Sequence, residues 1–285
     1  MLKNSEPAAI GFASAGHTLC HLLVVLFPTV LLALEVEMEL SYKELAALAV
    51  PAAFLFGAGA LPAGWLGDRW NKTNLLEIFF YGTGASTIIT GFAHTPLMLG
   101  IGLAGIGLFA SIYHPVGMSW LVSRTSKTGT ALGVNGLFGS FGFVLAPLVA
   151  GSFTGLWSWR VAFIIPGIVC LCVGILFSIS LRTFLEDVEN PIHKAAYESS
   201  SSKNIWMTFG LMGMALFLSG MFHQIVQFSL PKDFDLRVLL TSGSLLGTGS
   251  MVSLVYGAGA IGQLLYGRLA DHYSERQLYC SLFLI

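Results

Sequence analysis

The sequence predicts an all-α membrane protein: a bundle of six helices, a polar linker, and the start of a second bundle. Three observations carry this reading. Of 285 residues, 55% are hydrophobic and only 10% are charged, against about 25% charged in a typical soluble domain. The charges are gathered into short clusters between long stretches free of Asp, Glu, Lys and Arg. One charged phrase also occurs twice, at 64–76 and again from 267.

The charge-free stretches are 7–34, 45–67, 78–123, 128–159, 161–181, 204–231 and 238–267. A bilayer core takes about 20 apolar residues per helix, so most of these hold one span each. The stretch 78–123 holds two, with "GFAHTP" (Gly91–Pro96) as the turn between them. Eight spans result, and a ninth begins at Gln277. The N-terminus, "MLKNSEPAAIGF", has one lysine and no small-residue cleavage signature, so it reads as a retained first span.

Placing the N-terminus in the cytoplasm puts ten basic residues inside: Lys3, Arg69, Lys72, Arg124, Lys127, Arg182, Lys194, Lys203, Arg268 and Arg276. Four fall outside: Lys43, Arg160, Lys232 and Arg237. That ratio obeys the positive-inside tendency, and the first outer loop, "EVEMELSYKE", is acidic. The polar segment 182–203, with a proline, a serine run and mixed charge, reads as a cytoplasmic linker. It divides the chain into 1–181, a six-helix bundle, and 204–285, which holds spans seven and eight and part of nine. Net charge is −1, which suggests no nucleic-acid partner. Cys20, Cys170, Cys172 and Cys280 lie in apolar stretches without a CxxC pair, and read as small packing residues.

Sliding the sequence against itself by 203 positions aligns Gly64 with Gly267, Leu66 with Leu269, Asp68 with Asp271 and Leu75 with Leu278. Each phrase follows the second span of its bundle, on the same side. Such an internal repeat is a common plan for secondary transporters. "GWLGDRWNKTNLL" and "GRLADHYSERQLY" resemble the loop 2–3 signature of the major facilitator superfamily and its echo in loop 8–9. Gly64, Leu66, Asp68, Arg69 and Lys72 match in the first copy, where Asn71 replaces the usual second glycine. Gly267, Leu269, Asp271 and Arg276 match in the second, where His272 replaces the usual arginine. "WSWRVAF" (Trp157–Phe163) resembles the family's start of helix 6, and "GVNGLFGSFGFVLAPLVAG" (Gly133–Gly151) its exporter helix 5 signature. "GHTLCH" and "IYHPVGMSWLVSR" resemble the fosmidomycin-resistance type of drug exporter within it.

The resemblance implies a major facilitator fold and proton-coupled efflux of a small molecule by alternating access. It also implies a monomer when full length, in a bacterial cytoplasmic membrane. Asp68, Arg69 and Lys72, with Gly64, and Gly267, Asp271 and Arg276 in the echo, would latch the two bundles on the cytoplasmic side. A solvated, topology-setting loop is the plainer reading of the same residues.

Polar residues in midspan mark a candidate pathway, because they are costly there and face a cavity or a partner. They are His17 and His21 on span one, Tyr113 and His114 on span four, and Asn135 on span five. In the second half they are His223, Gln224 and Gln227 on span seven and Gln263 on span eight. His17 and His21, four apart, share one helix face. Histidine titrates near neutral pH and can carry protons, although a satisfied packing group is the alternative at each site. The pair could also hold a metal, but the sequence shows no third ligand, so no metal or other cofactor is expected. In helix 5, Gly133, Gly136, Gly139 and Gly142 leave one face bare for close contact, and Pro147 is expected to bend the helix.

An enzyme is not expected. There is no G-x-S-x-G elbow, no HExxH and no pair of intramembrane aspartates. The chain stops inside the ninth span, nine residues after the second signature, where the family has twelve helices. A truncated, non-transporting membrane scaffold or interaction protein is therefore the alternative to a transporter.

Overall fold

The computed structural model describes residues 2–183, 205–238, 243–270, 273 and 277. Among them there is no strand. The helices in order are α1 (Leu2–Val25), α2 (Phe27–Met38), α3 (Tyr42–Ala47), α4 (Val50–Gly67), α5 (Lys72–Gly91) and α6 (Pro96–Ala110). A π-turn (Tyr113–Gly117) leads into α7 (Met118–Arg124). Then follow α8 (Thr128–Leu156), α9 (Trp159–Thr183), α10 (Ile205–Arg237) and α11 (Leu245–Ala270). The linker lies almost entirely outside the described residues, as do Asp271 and Arg276.

Three spans are broken, each beside a proline. Pro28 opens α2 just after the break at Leu26, Pro51 opens α4, and Pro115 sits inside the π-turn. A proline cannot donate to the carbonyl four residues back, which breaks or widens the ladder there. The expected bend at Pro147 does not end α8, which runs as one helix through it.

Turns between spans are set by local chemistry. The acidic stretch read as the first outer loop is mostly helical: α2 runs to Met38, and only Glu39–Ser41 separate it from α3. Glu39 takes the left-handed conformation (φ 53°) and Ser41 forms a capping box with Glu44. Thr95 caps α6 by accepting from the Met98 N–H. Asn71, which stands where the signature has glycine, accepts from the N–H groups of Thr73 (2.8 Å) and Asn74 (3.3 Å) and starts α5. Asn71→Ala is expected to cost about 1 kcal/mol, read as a lowered unfolding midpoint. An unchanged midpoint would show that the cap is dispensable.

Seven described helical segments are long and apolar enough to cross a membrane. The eighth expected span, α5, falls short because it carries Lys72, Asn74, Glu77 and a row of small hydroxyl residues. It packs between α6 and α9. There Thr87 donates to the Thr83 carbonyl and Thr90 to that of Ser86, so these hydroxyls are satisfied within the helix. Its close neighbours need glycine: a Cβ at Gly102 would overlap Thr90, and one at Gly167 would lie 2.9 Å from the Gly84 carbonyl oxygen. Small residues at such contacts suit helices associating in lipid.

Buried Trp120, Phe177 and Phe80 make one aromatic group with the partly buried Phe12, and the Trp120 indole donates to Thr73. Large apolar side chains face outward all round the bundle, among them Phe54, Leu61, Leu97, Ile101 and Ile179. On α10 the residues from 206 to 223 are exposed on every face. So much outward apolar surface fits a hydrocarbon solvent. α10 and α11 pack against the first six spans through α2 and α8.

Candidate functional site

α1 carries His17 and His21 on one face, directed at the π-turn and α8. His17 is buried, and its Nδ1 lies 2.8 Å from the Asn135 carbonyl oxygen on α8. A carbonyl only accepts, so Nδ1 carries the proton and Nε2 of the neutral ring is left as an acceptor. His21 Nε2 lies 3.1 Å from His17 Nε2, and the His21 N–H is then the donor.

The π-turn supplies two more groups from consecutive positions. Tyr113 is fully buried, stacks on His17 with centroids 5.1 Å apart, and shares its one hydroxyl proton between the Ala13 carbonyl oxygen at 2.5 Å and Asn135 Oδ1 at 2.9 Å. His114 meets His17 edge-on at 5.2 Å and His21 at 5.1 Å. Single π-turns inserted in α-helices often accompany functional sites, and this one aims adjacent side chains at α1. Asn135 is held through both ends of its amide, since its Nδ2 lies 2.9 Å from Met118 Sδ. Two of the four helix 5 glycines make the room: a Cβ at Gly139 would lie 2.5 Å from the His17 ring, and one at Gly142 2.5 Å from the Thr18 carbonyl oxygen. Gly133 and Gly136 meet nothing within 4 Å and serve no such contact.

The structure thus joins His17, His21, Tyr113, His114 and Asn135 in one group. His223 of α10 is exposed and stands beyond Phe143, whose ring stacks on His21 (4.2 Å) and meets His223 edge-on (5.2 Å). Gln224 and the buried Gln227 lie elsewhere, on a small cavity bordered by Leu23, Phe27, Ala52 and Gly107. Gln263 is also apart, accepting from Ser140 at 2.7 Å. Against the expectation that the histidine pair has no third ligand, one nitrogen from each of His17, His21 and His114 falls within 4.8 Å of the others. Sequence spacing could not show this, because His114 arrives from another helix.

The signature loop is tied within its own bundle. Gly64 faces Pro115, where a Cβ would lie 3.3 Å from the ring. The Asp68 N–H donates to the Gly64 carbonyl. Arg69 donates to the Trp65 carbonyl and lies 4.4 Å over the Trp65 ring. Lys72 begins α5 and Gly267 falls in the last turn of α11. Glu77 accepts from Ser178, which also meets the Tyr81 hydroxyl, so it joins α5 to α9.

Several residues that sequence reasoning missed cluster at the opposite end. Glu35 of α2 pairs with Lys232 of α10 at 2.6 Å and accepts from the Tyr42 N–H. The Tyr42 hydroxyl donates to the Phe228 carbonyl at 2.6 Å. Glu37 accepts from Trp159 and pairs with Arg160, both at 2.7 Å. The Glu35–Lys232 and Tyr42–Phe228 contacts join this end of the first six spans to α10. Their signal was a charge at the end of each span. Tyr256 of α11 was also missed; its ring lies 5.8 Å from Phe143, and its buried hydroxyl has no hydrogen-bond partner among the described residues.

Membrane-length helices around a buried polar centre define an integral, multi-pass membrane protein. The chain belongs to the Major Facilitator Superfamily, whose family model matches residues 10–285. Over 146 residues it is 25% identical to the "Probable sulfoacetate transporter SauU" of Cupriavidus necator, covering 50% of this chain and 34% of that one. Among solved structures it resembles a bacterial homolog of the human lysosomal transporter Spinster in an inward-facing, unoccupied conformation. That match has a TM-score of 0.78 and 16% identity, and covers 95% of this chain and 64% of that one. It also resembles the nucleoside transporter NupG, with a TM-score of 0.65, 15% identity, and 93% and 69% of the two chains covered. The structural likenesses show the fold. The chain spans about a third of the length of the SauU relative and under two thirds of the Spinster homolog.

Proposed function

We propose that this protein works in secondary active transport, moving a small molecule by alternating access and exporting it in exchange for protons. The observation that carries the reading is the joined group of His17, His21, Tyr113, His114 and Asn135. Three helices direct five polar side chains to one midspan point, with His223 of α10 across Phe143. Polar groups at that depth are costly and mark a pathway. Imidazole changes charge near neutral pH, which suits a proton carrier. The charge-free spans offer a cationic substrate no midspan carboxylate. An uncharged or anionic small molecule is therefore the better fit, in keeping with the sulfoacetate in the name of the Cupriavidus necator relative.

In this reading the N-terminus is cytoplasmic. Residues 1–181 and 204–285 rock against each other about the linker, and the protein acts as a monomer in a bacterial cytoplasmic membrane. The Glu35–Lys232 contact then closes the outer side. Asp68, Arg69 and Lys72, with Gly64, and Gly267, Asp271 and Arg276 close the inner side in the alternate conformation. An enzyme is disfavoured, since the sequence carries no G-x-S-x-G elbow, no HExxH and no pair of intramembrane aspartates.

The test is transport by the intact protein in proteoliposomes loaded with a pH-sensitive dye, across a panel of small organic anions. His21→Gln is expected to reduce substrate-driven proton flux about a hundredfold or more, the scale of losing one acid–base group. Undiminished flux in that variant, or substrate movement indifferent to an imposed pH gradient, would remove the histidines from this role.

A further inference from the structure

The same three imidazoles have the geometry of a metal site. We propose that His17, His21 and His114 bind one divalent transition-metal ion of the zinc class. The inference rests on the placement of this site and not on proton coupling.

Spacing is the first argument. A tetrahedral zinc with Zn–N bonds of about 2.05 Å sets its ligand atoms about 3.3 Å apart. The two Nε2 atoms of His17 and His21 are 3.1 Å apart, and one ring nitrogen of His114 lies within 4.8 Å of a ring nitrogen of each. Two histidines at i and i+4 on one helix face with a third ligand from another element is a recurrent way to build such a site. Here the π-turn delivers the third.

Preorganisation is the second argument. Metal-binding histidines usually donate their other N–H to a carbonyl or carboxylate, which fixes ring and tautomer. His17 does this at the Asn135 carbonyl, so its Nε2 lone pair points to the centre of the group. Asn135 is held in turn by Tyr113 and Met118, and Gly139 leaves the space the ring needs. In the metal-free state the His21 N–H donates to His17 Nε2. Binding moves that proton to the other nitrogen of His21, with no net change in protons.

The donor set selects the ion. Three neutral imidazoles suit zinc, copper or nickel and do not suit magnesium or calcium. Three protein ligands leave a fourth position for water or for an anionic oxygen of a small molecule. His21 and His114 are only half-buried, so that side remains open.

The experiment uses intact protein without a polyhistidine tag, stripped by chelator and titrated with Co2+ and then Zn2+. Expected are one saturable site per chain, four-coordinate Co2+ absorption bands, and displacement of Co2+ by Zn2+. His21→Gln and His114→Gln should each weaken binding at least about tenfold while the helical circular dichroism stays unchanged. His17→Gln is left out because its ring also packs against α8. Absence of saturable binding, a six-coordinate Co2+ spectrum, or binding as tight as the wild type's in both variants overturns the proposal. A wild-type protein that binds no metal yet loses proton flux in His21→Gln overturns the metal site and leaves the transport reading standing.

Discussion

Gly249→Leu is expected to part α11 from α8 and to abolish function. A Cβ at Gly249 would overlap the Pro147 carbonyl oxygen, and one at Gly151 would overlap the Leu245 carbonyl oxygen. From either added Cβ, the other glycine's Cα is only 3.1 Å away. The obstacle on each side is backbone, which cannot rotate aside as a side chain can. Overpacking a tight site typically costs about 1–3 kcal/mol, and more is expected where the helices must separate. In lipid no hydrophobic reward offsets lost contact, since packing itself drives association. Separation would also strain the Ser253 hydrogen bond to the Val144 carbonyl and the Ser140–Gln263 pair. Gly257→Leu, on the same helix, is the control, because nothing lies within 4 Å of an added Cβ there. Equal thermal midpoints and equal transport in the two variants would show that the α8–α11 seam tolerates bulk.

The second large effect concerns Glu35 and Lys232. Their side chains are only 23% and 29% accessible at a separation of 2.6 Å, so solvent screens them less than a surface pair. Desolvation offsets much of the Coulomb attraction. A net coupling of about 1–3 kcal/mol between the two positions is expected, which is a shift of about 5–150-fold in the balance between conformations. Glu35→Gln should open this end, read as longer distances between spin labels at the ends of α2 and α10. Lys232→Met should act likewise. The double substitution should cost less than the sum, because neither charge is left half-buried and alone. Tyr42→Phe should add to the opening by releasing the Phe228 carbonyl. Distance distributions identical to the wild type's in all four variants would mean that this contact does not hold the conformation.

Much of the fold was legible in the sequence. Asn71 and Thr95 announce helix starts through side chains that cap backbone N–H groups, and these turns fall where charge and turn residues put them. The misjudged places have physical reasons. The acidic "EVEMELSYKE" was read as loop because charge leaves the membrane, yet charge does not prevent helix; α2 and α3 run through most of it. α5 is poorer in apolar residues than its neighbours because hydroxyls can bond their own helix backbone when enclosed by other spans. The glycine row of helix 5 looked uniform, but only Gly139 and Gly142 are turned to α1. For the site, the residue types were visible and the grouping was not. The histidines and Asn135 stood out as polar groups in apolar runs, while Glu35 and Lys232 looked like ordinary span ends.

The sequence by itself determined the solvent, the spans, the order of elements and the family phrase. Matching a chain to a bilayer is a local property, carried by how many apolar residues follow one another and where charge interrupts them. Only the tertiary structure decided that His114 completes a triad with His17 and His21, that Gln263 serves Ser140, and that Lys232 meets Glu35. Those contacts depend on how far each helix is rotated about its axis and where its prolines break it. Lipid, being equally apolar on all sides, leaves that rotation to the packing of small residues against neighbouring helices.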